Sequence, residues 1–185
     1  MARLPYLEAA DLPEQHQDLL KRPIFLHRLL ANSPQAARKF GQLGQWIRYE
    51  CSIDPRQREI AILTVGYLAR SPYEYSHHTK IGMDFGVTEA DIHALAAYLD
   101  GGTDGSYFNA QDLAIIDAAH ELTDKPELSD ANYARLSDFL SSENLVDLTV
   151  TIAFYACVVR VLGAFQMDVE PDYQPYLERF PLPSE

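Results

Sequence analysis

Apolar residues recur along this chain at the three-to-four spacing of helices, and no segment alternates with the period of two that a half-buried strand shows. Residues 12–20 make a weak amphipathic piece, and Pro23 opens a short helix to about Ala31. Further start signals share one logic, a capping residue followed by proline at the first helical position. Ser33-Pro34 predicts a helix to about Cys51, Asp54-Pro55 one through Ala69, and Ser71-Pro72 one that ends near Gly82 or Gly86. In the Pro55 helix, Ile60, Leu63, Val65, Tyr67 and Leu68 cover more than one face, which predicts a largely buried element. Thr88 starts a helix through Leu99, Asn109 caps one through Asp124, and Ser129 caps one through Leu140. The last long helix begins at Ser142 or a neighbour and reaches about Met167. Its 148–159 stretch is rich in β-branched residues, but the continuation to Phe165 favours helix over strand. Residues 100–105 form the loosest stretch, a loop and a plausible boundary between halves. The tail, with Pro171, Pro175, Pro181 and Pro183, is expected to be extended and to pack on the body or on a partner subunit. The predicted class is all-α, one domain over 1–185 with an N-terminal arm at 1–32 and a Pro-rich tail at 168–185.

A chain of 185 residues suits one domain that buries roughly 70% of its unfolded surface, so it needs no disulfide or metal to fold. Its 15 basic and 27 acidic residues give a formal charge of −12. That charge repels phosphate backbones and anionic bilayers, so neither nucleic acid nor a membrane is an expected partner. Cys51 and Cys157 form no CxxC pair and no Cys/His cluster, which argues against a redox dithiol and a structural zinc. The first eight residues carry no apolar signal region, and two unpaired thiols fit a reducing cytoplasm. The apolar stretch 145–165 contains Asp147 and Arg160 and reads as a buried core helix rather than a span.

The chemistry concentrates on two consecutive helices. Glu59 interrupts an apolar run, and Glu74, His77 and His78 lie on the next helix. Glu74 and His78 are four apart and share a face, with His77 slightly off it. If the two helices form a hairpin about Arg70-Ser71, Glu59 and His78 approach each other. A carboxylate beside an imidazole in apolar surroundings is a proton relay, because the carboxylate fixes the tautomer and burial tunes both groups. Each residue also has a plainer reading. Glu59 could be solvated near a helix start, where the dipole favours an acid, and either histidine could be a surface or satisfied core residue. Glu74-x-x-His77 has the spacing of di-iron bundles, but the second copy and further glutamates that such sites need are missing, so no metal and no cofactor are expected.

The run Pro55-Arg56-Gln57-Arg58-Glu59-Ile60-Ala61-Ile62-Leu63, then Tyr73-Glu74-Tyr75-Ser76-His77-His78, then Gly86-Val87-Thr88-Glu89-Ala90-Asp91-Ile92, resembles the carboxymuconolactone decarboxylase family. So do Phe154–Arg160 and Leu162–Phe165, and together these segments span about residues 35–170. The resemblance implies the alkyl hydroperoxidase D-like fold, a helical bundle around a core helix hairpin, assembled as a homotrimer or homohexamer. In the peroxidase branch of that family a Glu, two Cys and a His fall where this chain has Glu59, Ser71, Glu74 and His78. Neither serine nor glutamate forms a disulfide, so hydroperoxide reduction by a dithiol is unavailable at that site.

The decarboxylase branch is the closer likeness. It implies a cofactor-free lyase or proton-transfer enzyme acting on a small carboxylated lactone or ring. Glu59, Glu74 and His78 are the expected catalytic residues, with His78 as proton donor. His77 is a candidate for binding or for a second relay position. Tyr75 is a pocket-lining candidate, and Arg160 the best candidate for a buried carboxylate clamp, since guanidinium forks match carboxylates. Arg160 could equally pair with Glu59 or Glu74. Tyr155 reads as core more than ligand, and Ser71 as an N-cap more than a nucleophile, although both fall in the candidate binding set. The alternatives are an isomerase or hydrolase using the same pocket, and a non-redox oligomeric binding protein of the same fold.

Overall fold

The computed structural model describes residues 1–183. Short 3-10 turns at Ala9–Asp11 and Glu14–Leu20 lead into helices α1 (Phe25–Leu30), α2 (Pro34–Tyr49), α3 (Pro55–Leu68), α4 (Pro72–Asp84) and α5 (Glu89–Leu99). Helices α6 (Ala110–Asp124), α7 (Asp130–Ser137), α8 (Ser142–Phe165) and α9 (Gln174–Arg179) complete the chain, with a further turn at Pro171–Tyr173. The class is all-α; among the described residues there is no strand. Of the predicted caps, Ser33 and Ser71 precede α2 and α4 without a side-chain capping bond, and the proline at the first helical position marks those starts; the others act as their chemistry requires. Asp54 accepts from the Gln57 amide, Ser129 from Asn132, and Thr88 and Asp91 form a reciprocal capping box. The last long helix starts at Ser142, and the Ser141 hydroxyl caps it by accepting from the Asn144 amide.

Helix α3 is the axis of the molecule. Every residue from Arg58 to Tyr67 is buried, because α4, α6 and α8 surround it. One core lies between α3, α6 and α8 around Ile62, Val65, Ile115 and Ile152. A second lies between α3, α4 and α5 around Ile60, Leu63, Tyr75 and Ile92, and a small third one joins Leu12, Leu20 and Ala31 near the N-terminus. Gly66 sets the spacing of the α3–α4 hairpin, since a Cβ there would stand 3.3 Å from the Tyr75 backbone nitrogen. The chain reverses through Arg70, which holds a left-handed φ of 46°, and the Ser71 amide donates back to the Gly66 carbonyl. Helix α8 is long and apolar enough to cross a membrane by length and composition, yet half of that window is buried within the fold. Its outer face leaves Val146, Ala153, Cys157 and Arg160 exposed.

The tail differs from the extended segment expected. Pro175 stands in the first turn of α9, where its missing N–H costs no helical bond, so a helix forms despite the proline content. The segment packs on α4, and Phe180 is buried in the second core. Residues 184–185 of the expected tail lie outside the described residues.

An ionic hub ties the helix starts together. Arg56, in the first turn of α3, bridges Asp91 of α5 at 2.6 Å and Asp112 of α6 at 2.9 Å. Both carboxylates are buried. Burial pushes the Asp91 carboxyl up, but Arg56 and the Thr88 donors outweigh it and hold the group below its ordinary range. Arg56→Met strands two carboxylates, and the expected cost is about 3–5 kcal/mol, read by urea unfolding. In the native protein the Asp91 share of stability is present above the ordinary Asp pKa and is lost as pH falls through the depressed folded value. The variant therefore shows a shallower acid limb.

Candidate active site

The α3–α4 hairpin brings the expected relay residues together. Glu59 projects from the second turn of α3 and His78 from the second turn of α4. The His78 Nδ1–H donates to Glu59 Oε2 at 2.7 Å. On the other side of the ring, Nε2 lies 3.0 Å from Glu74 Oε1, one turn earlier on the same helix. All three residues are at most 3% exposed. Behind them Arg58 donates to Glu59 Oε1 from Nε at 3.1 Å and from Nη2 at 3.0 Å, while its guanidinium stacks 4.6 Å above the Phe85 ring. One guanidinium and one imidazolium thus face two carboxylates, and the cluster is neutral as a whole.

These partners shift the two relay groups in opposite senses. Burial pushes the Glu59 carboxyl up, but His78 and Arg58 outweigh it and hold the group below the usual carboxylate range. Burial pushes His78 down, but Glu59 and Glu74 more than reverse this, so its imidazolium persists above the ordinary histidine pKa. Both shifts favour the charged forms of the pair.

Glu74 and His78 line a cavity of about 540 Å³ between α2, α4, α8 and the N-terminal turns. Phe40, Phe154 and Val158 give it apolar walls, and Tyr155 stands edge-on to His78 with centroids 4.8 Å apart. Its charged lining is mainly cationic, with Lys21, Arg22, Arg38 and Arg48. The acids there are already engaged, Asp18 by Arg38 and Glu74 by His78. A cationic cavity in a chain of charge −12 favours an anionic guest. Arg48 is the innermost candidate for holding one. It is half-buried, and its Nε finds no hydrogen-bond partner among the described residues. Burial pushes its pKa down, but Tyr155 and Glu59 more than restore it.

His77 lies on the same wall, with Glu170 on one ring edge and tyrosines on both faces. Its Nε2–H donates to Glu170 Oε2 at 2.8 Å. Tyr73 and Tyr173 stack on its two faces at 4.1 and 3.5 Å between centroids. Glu170 Oε1 is itself fixed, accepting from the Phe25 amide at 2.7 Å and the Tyr73 hydroxyl at 3.0 Å.

The remaining expected residues fall elsewhere. Arg160 is not a buried clamp; it is exposed, bonds back to the Ala156 carbonyl, and borders a separate hollow with His120 and Asp124. The reason is helical phase. Arg160 is five residues beyond the cavity-lining Tyr155, which turns it roughly 140° around α8. Tyr75 also points away, packing against Tyr67 in the second core. Ser71 is the N-cap of α4, its hydroxyl makes no capping bond, and it does not line the cavity. Arg48, Arg58 and Glu170 were not anticipated. Arg58 carried a legible signal, a basic residue beside the one acid in an apolar run. A basic residue on amphipathic α2 looks like any solvated one, and Glu170 reaches His77 across 93 positions.

Residues 34–102 match the sequence model of the carboxymuconolactone decarboxylase family. No protein of curated function matches the sequence. Among solved structures, the chain is similar to an alkylhydroperoxidase AhpD core, an uncharacterized peroxidase-related protein from Ralstonia eutropha JMP134. They share 18% identity over 95% of each chain, with a TM-score of 0.78. The debrominase Bmp8, as a variant in complex with 2,3,4-tribromopyrrole, aligns at 17% identity over 97% of this chain and 100% of its own, with a TM-score of 0.78. A peroxidase-related protein from Silicibacter sp. TM1040 aligns at 17% identity over 92% of each, with a TM-score of 0.68. At these identities the likeness establishes the fold.

Proposed function

From the match of residues 34–102 to the carboxymuconolactone decarboxylase family and the AhpD-like fold, we propose a cofactor-free proton-transfer enzyme that decarboxylates a small carboxylated lactone or ring. The observation that carries this reading is the orientation of His78. Its Nδ1 is anchored on Glu59, while the ring and Glu74 face a cationic cavity. In the proposed step Arg48 orients the bound substrate through a carboxylate. The substrate ring carries a double bond conjugated to the lactone carbonyl; the bond from the γ carbon to the departing carboxylate breaks, carbon dioxide leaves, and the electron pair spreads through that double bond into the carbonyl. His78 then delivers its Nε2 proton to the ring carbon. Apolar walls keep water from competing, and Glu59 holds the imidazole in register. Dithiol chemistry has little support here. The free thiols are Cys51, after α2, and Cys157, on the outer face of α8, and neither lines the cavity.

The test is a panel of α,β-unsaturated γ-lactones carboxylated at the γ carbon, followed by carbon dioxide release and enol-lactone absorbance. Arg48→Met should raise KM by about 10–100-fold, the loss of one charge-assisted contact, with a smaller change in kcat. Arg160→Met should leave both constants unchanged. The proposal is overturned if no member of the panel loses carbon dioxide faster than in buffer, or if Arg160→Met rather than Arg48→Met weakens binding.

A further inference from the structure

The cavity holds a second carboxylate-anchored imidazole that the decarboxylation leaves unused. We infer that His77 is a general base that works opposite His78, so that the site also catalyses a 1,3-proton shift, moving the double bond of an unsaturated carboxylated lactone. This rests on the proton-transfer reading of the cavity and adds to it a second catalytic residue and a second reaction.

The geometry assigns the tautomer. Glu170 Oε2 accepts from His77 Nε2, so in the neutral ring the proton sits on Nε2 and the lone pair on Nδ1. Nδ1 has no partner among the described residues, and the ring lines the cavity. The stacked tyrosines cover both ring faces, which leaves an edge as the reactive approach. Glu170 cannot drift, because the Phe25 amide and the Tyr73 hydroxyl hold its other oxygen. Neighbouring histidines are about 100° apart on a helix, so His77 and His78 approach a guest from different directions. The ionisable groups around His77 are Glu170 from the tail, Glu74 and His78 on its own helix, and His27 of α1. Burial pushes His77 below the ordinary histidine pKa, only partly offset by Glu170, whereas His78 is raised. A neutral base and a charged acid in one pocket is the division of labour that proton shuttling needs.

The step balances without a co-reactant. His77 Nδ1 takes a proton from the carbon between the lactone carbonyl and the double bond. The electron pair moves into the carbonyl, giving a dienolate. His78 Nε2 gives its proton to the distal carbon, and the double bond comes into conjugation. His77 is left protonated and His78 neutral, and exchange with water restores both. Glu170 is a positioning residue, acting through His77.

The probe is a 2(3H)-furanone with a carboxymethyl arm, incubated with the protein in deuterium oxide and followed by proton NMR. The native protein should form the 2(5H) isomer, with deuterium at both C3 and C5. His77→Asn should slow isomerisation and C3 exchange by at least about 100-fold, yet still release carbon dioxide from a ring-carboxylated lactone. His78→Asn should keep C3 exchange and lose delivery to C5. Glu170→Gln keeps the tyrosine stack and removes the charge that raises His77. It should move the acid limb of the isomerisation profile to lower pH, a shift that a purely structural role would not produce. Isomerisation by His77→Asn within twofold of the native rate overturns the inference, as does the absence of deuterium uptake by the native protein. Native isomerisation without carbon dioxide release from any lactone would instead overturn the decarboxylase reading and leave this one standing.

Discussion

Glu59→Gln lowers turnover by about 10²–10⁴-fold, the range associated with a positioned proton-transfer group, and destabilises the fold by about 3–5 kcal/mol. Both effects come from one change of charge. Glu59 receives His78 Nδ1 on one oxygen and two Arg58 bonds on the other, inside a cluster with two cationic and two anionic members. Glutamine preserves the shape and leaves the cluster one positive charge in excess in a site only 1% exposed. The cheapest relief is for His78 to release its proton, which removes the acid. The high-pH limb of kcat should therefore move to lower pH in the variant. Native stability carries the matching signature. The Glu59 share is present above the ordinary glutamate pKa and is lost as pH falls through its depressed value. The His78 share is present below about 6.5 and is lost as pH rises through its raised value. Thermal melts across pH, paired with rate profiles, check both limbs. A variant with native turnover would remove Glu59 from the relay.

His78→Asn has an equally large effect and a more distinctive one. It leaves Glu59 and Glu74 buried without the cation that stood between them, at an expected cost of about 3–5 kcal/mol. One carboxylate must then take up a proton on folding, so its folded pKa rises above the unfolded value. A raised carboxylate contributes stability below its unfolded pKa and loses it as pH rises. Between about pH 4 and 7 the variant should thus gain stability on acidification, whereas the native Glu59–His78 contribution is level between the ordinary glutamate and histidine pKa values. Adding Glu74→Gln to His78→Asn should recover part of the loss, so that the double variant is more stable than the sum of the singles. Urea unfolding at pH 5 and pH 7 resolves both points. Additive losses, with the variant no more stable at pH 5 than at pH 7, would mean that Glu74 and His78 are not coupled.

Much of this arrangement was legible because it is local. The caps Asp54, Thr88, Asn109 and Ser129 each act within three residues, so the chain states them directly. The relay was legible because α3 and α4 are consecutive, and a hairpin turns 19 positions of separation into contact. The other components of the site lie far apart in sequence. Arg48 and Tyr155 share the cavity only because α2 lies against α8, and Tyr73 meets Glu170 across 97 positions. Periodicity also misled at Arg160. An apolar helix suggests burial all round, but α8 is covered on one side only, and the arginine falls on the other. The tail misled for a different reason, since proline bars a helix interior but not its first turn.

Glu74 occupies the third helical position of α4, beside the imidazole and four residues before it. That placement separates what is costly to evolve from what is cheap. The close hairpin at Gly66 and the cavity depend on many residues at once, whereas position 74 meets them through one side chain, the second carboxylate beside His78. Exchanging that side chain would change at once the group offered to the cavity and the charge balance around His78.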